Sequence, residues 1–190
     1  MENLRVGFAL CGSFCTFAKV VQTLKTVKEQ YSDIIPIMSE KSVSTDTRFG
    51  KAEDFVRQIE EICGKKIISS VKMAEPIGPR ALLDILVIAP CTGNTLAKLA
   101  CGITDSSVTM AAKAQLRNNR PVLIAVSTND GLSGSAPNIG ELLERKNIYF
   151  VPFGQDDPDK KPCSLVADFT KIPESIAAAM QGKQIQPILL

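Results

Sequence analysis

Neutral hydroxyl and amide side chains gather at the ends of apolar runs in this chain. Cys11-Gly12-Ser13 follows Leu4–Leu10, Ser39 follows Asp33–Met38, and Thr92-Gly93-Asn94-Thr95 follows Asp84–Ala89 and Pro90. Ser106 and Thr109 open another segment soon after, and Ser127-Thr128-Asn129-Asp130-Gly131 follows Pro121–Val126. A short turn with a glycine and a hydroxyl opening a helix can present backbone amides and the positive helix end to a phosphate. Taken alone, Ser13 reads as a helix cap and Ser39 as a loop residue. Thr92, Asn94 and Thr95 supply more polar groups than one helix start needs. Many neutral donors with few charges suit a planar heteroaromatic ring with one phosphate better than a metal ion or a polyphosphate.

Other chemistry is excluded by what the chain lacks. It has no histidine, so every triad with an imidazole base is ruled out. Six cysteines at 11, 15, 63, 91, 101 and 163 contain no Cys-x-x-Cys pair and have no histidine to complete a mixed zinc site. They read as reduced, mostly buried thiols. Neither a dinucleotide glycine fingerprint nor a Walker sequence is present. A formal charge of +2 gives no electrostatic case for nucleic acid or an anionic membrane. No apolar run approaches the roughly 20 residues of a spanning helix, and the first residues lead straight into a strand pattern, so the expected location is the cytoplasm.

These turns need a scaffold, and the periodicity supplies one. Strand patterns at 4–10, 33–38, 84–89, 121–126 and 147–151 alternate with helical patterns at 14–30, 51–62, 93–101, 105–118, 137–146 and 173–181. Gly64 stands where the second helix should be capped. Continuously apolar strands separated by helices predict a doubly wound, mainly parallel α/β sheet of five to six strands, flavodoxin-like or Rossmann-like, covered on both faces. With 190 residues and 45% hydrophobic content the chain is expected to form one domain. The apolar tail at about 183–190 is expected to pack on its own chain or on a neighbour. In such sheets ligands bind at the carboxyl ends of the strands, where the polar turns fall.

Pro90-Cys91-Thr92-Gly93-Asn94-Thr95, followed by Ala97-Lys98, Gly102-Ile103 and Asp105, resembles the proline-alanine-serine-alanine-asparagine-threonine motif of the homo-oligomeric flavin-containing cysteine decarboxylase superfamily. Cys11-Gly12-Ser13 and Ser39 stand where that superfamily has its first flavin-phosphate loop and a serine ending strand two. The resemblance implies a flavin mononucleotide (FMN) pocket lined by Gly12, Ser13, Ser39, Thr92, Asn94, Thr95, Ser106 and Thr109, and a homo-oligomer. Cysteine decarboxylation is disfavoured, because the superfamily's active-site histidine is missing. Its proline-x-methionine-asparagine clamp is replaced by Ser127-Thr128-Asn129-Asp130, and Phe14 stands in place of a small residue.

Segments 44–55 (STDTRFGKAEDF), 75–84 (EPIGPRALLD with Ala74 before it), 126–132 (VSTNDGL) and 147–162 (NIYFVPFGQDDPDKKP) further resemble the family of dipicolinate synthase B subunits of spore-forming bacteria. That likeness implies oxidation of a dihydrodipicolinate-type cyclic dicarboxylate to dipicolinic acid in the mother cell during sporulation. It also implies a partner, the A subunit, which carries the NAD(P) site. Arg48, Lys51 and Arg80 become the expected carboxylate-binding cations. Asp46, Asp130 and Asn94 are the catalytic candidates, the two carboxylates as proton acceptors. The alternatives are a stand-alone FMN enzyme of the decarboxylase or prenyltransferase type, and a non-catalytic partner that has lost flavin.

Overall fold

The computed structural model describes residues 2–190. In chain order the elements are β1 (Glu2–Leu10), α1 (Phe17–Gln30), β2 (Tyr31–Met38), α2 (Glu40–Ser44), α3 (Ala52–Cys63), α4 (Val71–Ala74), β3 (Ile85–Cys91), α5 (Gly93–Ala100), α6 (Ser107–Arg117), β4 (Val122–Thr128), α7 (Ala136–Leu143), β5 (Ile148–Phe150), β6 (Phe153–Gly154), β7 (Leu165–Ala167) and α8 (Ile172–Met180). The first five strands pair in parallel in the order β2-β1-β3-β4-β5, the flavodoxin-like arrangement, in which the strand order reverses between β1 and β3. Every residue of β3 is buried, as a central strand covered on both faces requires. Helices α1, α3 and α8 pack on one face, and α4 to α7 on the other.

The pattern of apolar runs placed these parallel strands and the helices between them, and Gly64 ends α3 with φ +66°, a conformation glycine adopts without strain. Three differences have local causes. The helix expected from residue 14 starts as one 3-10 turn, Phe14–Thr16, before α1. Pro90 does not end its strand, because β3 runs through it to Cys91 with a shift of register against β4 between Ile88 and Cys91. Among the described residues the sheet has seven strands, since β7 pairs antiparallel with both β4 and β6, pairs too short to leave a periodic trace.

The tail packs on its own chain. Phe153 N–H donates to Ile188 O at 3.0 Å and Leu190 N–H to Phe153 O at 3.1 Å. The Gln184 carboxamide satisfies both backbone groups of Phe150, at 2.8 and 2.7 Å.

At the amino edge of the sheet the lock is ionic. Asp84, just before β3, accepts from Arg5 N–H at 2.9 Å and from its guanidinium at 2.6 and 3.1 Å, and from Arg120 at 3.1 Å. Arg120 also donates to Ala81 O at 3.2 Å and to Leu83 O. Arg5 holds the Asp84 carboxyl below the usual carboxylate range. One acid thus ties the entries of β1, β3 and β4 together.

Candidate functional site

Each polar turn lies at the carboxyl edge, and backbone hydrogen bonds lace the strand ends there. Cys11 N–H donates to Pro90 O at 3.2 Å and Ser39 N–H to Leu10 O at 3.0 Å. These bonds bring Gly12, Ser13, Ser39 and Thr92 around the point where the strand order reverses.

The hydroxyls occur largely in pairs. Ser13 Oγ lies 2.8 Å from Ser127 Oγ, so this pair spans from the loop after β1 to the end of β4, across β3 between them. Ser13 makes no side-chain capping bond, which removes the simple cap as its role. Ser39 caps α2, its Oγ 2.7 Å from Ser42 Oγ. Gly12 sits beside this second pair: a Cβ there would lie 4.0 Å from Ser42 Oγ and 3.4 Å from the Phe14 ring. Phe14 therefore covers the first loop, and its ring packs tilted at 45° against Phe17 with centroids 5.2 Å apart, while Phe17 meets Phe55 edge-on at 5.2 Å.

At α5, Thr92 accepts from Thr95 N–H at 3.3 Å and donates to Thr95 Oγ1 at 3.2 Å. Those two residues are consumed by capping. Asn94 is exposed, and among the described residues no side chain or backbone group bonds its carboxamide, which makes it the free polar group of the motif. At α6, Ser106 and Thr109 form a reciprocal capping box. The next residue ties α6 to the end of β2: Ser107 Oγ donates to Met38 O at 2.6 Å, and Ser107 N–H to the Glu40 carboxylate at 3.1 and 3.2 Å. Glu40 complements the positive start of α6 and anchors it beside Ser39.

The turn after β4 is wired to the start of α5. Asp130 accepts from Thr128 Oγ1 and, at 2.9 Å, from Ser135 Oγ, and these bonds hold its carboxyl below the usual range. A Cβ on Gly93 would fall 2.5 Å from Ser135 Oγ and 2.8 Å from both Asp130 Oδ1 and Thr128 Oγ1. Glycine is required there so that the α5 backbone can rest on this triad. Asp130 thus acts as an ionised anchor with two hydroxyl donors, which is poor equipment for a proton acceptor.

The remaining candidates separate. Asp46 accepts from Ala52 N–H at 2.8 Å and so secures the start of α3. Arg48 and Lys51 lie in the same loop at the carboxyl edge, both exposed, with the Arg48 guanidinium 4.9 Å from the Phe49 ring centroid. Arg80 does not join them. It lies in the segment leading into the amino end of β3, beside Gly78, which contacts Ala114 and Arg117 at the end of α6. Its loop enters β3 from the edge opposite the hydroxyl turns, a fact that its proximity to Pro79 in sequence could not convey.

Cys11 and Cys91 are buried, and burial pushes the Cys11 thiol up to about 11 and the Cys91 thiol well above its ordinary value. Both are core residues at the strand ends and unsuited to be nucleophiles. Among the described residues no acidic or thiol cluster could hold a metal ion, and no helix is long and apolar enough to cross a membrane. Sequence reasoning missed Glu40, Ser42, Ser107 and Ser135, and it read Ser127 and Thr128 only as part of a polar turn. Many of their key bonds join residues far apart in sequence, so no local spacing reports them.

The donor set, neutral hydroxyls and one free carboxamide around the strand reversal, fits a phosphate-bearing heterocycle. A family model described as Flavoprotein matches residues 1–151. The B subunit of dipicolinate synthase from Bacillus subtilis (strain 168) is 45% identical over 190 residues, which is 100% of this chain and 95% of that protein. The crystal structure of the dipicolinate synthase B subunit from Bacillus halodurans C superposes with a TM-score of 0.91 at 44% identity, covering 100% of this chain and 98% of that one. The FMN-dependent cysteine decarboxylase SpaF shares the fold, with a TM-score of 0.72 at 22% identity over 94% of this chain and 97% of that one.

Proposed function

The chain belongs to the flavoprotein family, and from that premise we propose that it is the B subunit of a dipicolinate synthase, working with an A subunit that binds NAD(P). The observation that carries the reading is likeness along the whole length to proteins of that name, at 45% identity, together with a turn after β4 committed to holding α5. In the proposed reaction a dihydrodipicolinate-type ring loses a hydride and a proton to become an aromatic pyridine dicarboxylate. The hydride goes to the NAD(P)⁺ of the partner subunit, and the proton to solvent or a nearby base.

The family and the donor set support a flavin, and FMN is the form proposed here. When bound, it supplies a two-electron carrier. Gly12, Ser13 and Ser39 would hold its phosphate, with backbone amides and hydroxyls as donors. Thr92, Asn94, Thr95, Ser106 and Thr109 would line the rest of the pocket, Asn94 through its free carboxamide. Ser13–Ser127 and Ser39–Ser42 keep these hydroxyls oriented, and Asp130, through Gly93, fixes where α5 begins. Arg48 and Lys51 would receive the substrate carboxylates, the planar Arg48 guanidinium braced against Phe49. Dipicolinate formation is confined, on this reading, to the mother cell of a sporulating bacterium.

A visible spectrum of the purified protein, before and after added FMN, tests the cofactor. A colourless protein that takes up no flavin favours the partner that has lost it. Assaying dipicolinate formation with each subunit alone and with both tests the assignment. Full activity of the A subunit alone, or flavin-dependent turnover of a small carboxylate by this chain alone, overturns it.

A further inference from the structure

The proposed substrate carries two carboxylates, and with Arg80 at the opposite edge of the sheet only one loop, that of Arg48 and Lys51, offers them cations. That loop approaches the turn after β1 from the β2 side. A Cβ on Gly50, between the two cations, would lie 2.8 Å from the Phe55 ring, and Phe55, Phe17 and Phe14 continue in ring contact to the turn. On the other flank of the same turn a further cation arrives, from the connection between β6 and β7.

That connection, residues 155–164, is fastened to the carboxyl edge. Leu165 and Val166 pair with Thr128 and Ser127, Ser164 Oγ donates to Thr128 O at 3.3 Å, and Leu132 N–H donates to Cys163 O at 2.9 Å. The loop also closes on itself. Lys161 N–H donates to Asp157 O at 2.7 Å, Ser164 N–H to Lys161 O at 2.9 Å, and Gln155 Nε2 to Pro162 O at 2.8 Å. The Lys161 ammonium donates to Asp156 at 3.0 Å and lies close enough to the Cys15 thiol to feel its charge. Cys15 Sγ is 3.9 Å from Ser13 Oγ, which is itself 2.8 Å from Ser127 Oγ. Lys161 is thereby brought beside the hydroxyl pair that bridges the turn after β1 and the end of β4. Asp156 raises its pKa above the ordinary value, so the charge is kept, and this single bond leaves two of the three ammonium protons on a half-exposed side chain. Lys98, on α5, is drawn instead onto both oxygens of Asp105, at 2.8 and 2.9 Å.

We propose that Lys161 is a specificity-determining residue that binds one carboxylate of the cyclic dicarboxylate, opposite Arg48 and Lys51, an inference that rests on the subunit reading above. Two cation-bearing loops on opposite flanks of one turn match a ring with two carboxylates better than a ligand with a single anionic end. The hydroxyl turns between them supply neutral donors, so recognition of the charges falls to the loops, where bonds to an ionised group are the stronger ones. Lys161 thus takes the place that the sequence had offered to Arg80.

The test uses the full chain together with the purified dipicolinate synthase A subunit, with turnover and calorimetric binding of dipicolinate measured on the pair and FMN uptake on the chain alone. Lys161→Ala raises KM and weakens dipicolinate binding, each about tenfold, with kcat within about twofold of wild type. FMN uptake and thermal unfolding of this variant stay as in wild type, and Lys161→Arg restores most of the affinity. Lys160→Ala removes the same charge from the exposed neighbour and leaves KM and binding unchanged. Wild-type KM and affinity in Lys161→Ala, or equal weakening in Lys160→Ala, overturn the assignment and leave the subunit reading intact. Loss of FMN uptake with dipicolinate binding unaltered overturns it in favour of a phosphate at the same place. No dipicolinate formation by the two wild-type subunits together sinks the subunit reading and this assignment with it.

Discussion

The two edges of the sheet are held in opposite ways. At the amino edge one carboxylate, Asp84, gathers two guanidinium groups and ties three strands with charge-assisted bonds. At the carboxyl edge the strand ends are joined by neutral hydroxyl pairs, and the anchoring carboxylates Glu40, Asp46 and Asp130 are turned to helix starts and hydroxyls. Bonds to charged groups are roughly twice as strong as neutral ones, so the first edge is a lock. Neutral hydroxyls can exchange a neighbour for a ligand at little cost, so the second edge is a place to bind.

The contrast is broken most severely at the lock. Asp84→Ala leaves Arg5 and Arg120 facing each other without their acid, and we expect a loss of about 2–4 kcal/mol in denaturant unfolding. The same residue sets an acid limb. Because its carboxyl is held low in the folded state, its contribution is fully present above the unfolded value of about 3.9 and is lost as pH falls through the folded value. Wild-type stability should therefore drop below about pH 4 more steeply than that of Asp84→Asn, and parallel acid limbs would remove Asp84 from this role.

At the binding edge, Gly93→Ala forces a methyl group into Ser135, Asp130 and Thr128, with an expected cost of about 1–3 kcal/mol and loss of flavin uptake. If uptake survives, the seating of α5 on the β4 turn does not shape the pocket. Gln115 supplies a smaller and opposite effect. Its carboxamide is fully buried on α6 and, among the described residues, neither polar atom meets a protein partner, so Gln115→Met should stabilise the fold by about 1 kcal/mol, read as a raised melting temperature. Destabilisation instead would reveal a bonded partner for that amide. Asn94→Ala should change stability by less than about 0.5 kcal/mol, since the side chain is exposed and unbonded, yet weaken flavin binding measurably by fluorescence titration. Unaltered titration would leave Asn94 as an ordinary helix residue.

Legibility followed the range of the interactions. Thr92 with Thr95 and Ser106 with Thr109 are three residues apart, so the sequence placed each pair at a helix start, but it read them as surplus donors for a ligand, and the structure shows each pair bonded within itself as a cap. Ser13 was ambiguous because its partner, Ser127, lies 114 residues away. Asp130 carried the residue type of a base, and only the convergence of Thr128, Ser135 and Gly93 upon it shows an anchor. Arg80 and Arg48 look alike in sequence, each in a loop with a glycine or proline, but they fall on opposite edges because one loop enters a strand and the other enters a helix.

The amino-acid sequence by itself determined the parallel strands and the helices between them, and it put hydroxyls at their carboxyl ends, because apolar periodicity and capping chemistry act within a few residues. It also excluded imidazole catalysis outright. The tertiary structure alone decided which hydroxyls face one another, which carboxylates became anchors, and which cations stayed unpaired. Those outcomes depend on side chains brought together by sheet order and register, and a bond across 67 or 114 residues exists only once the strands between have been stacked.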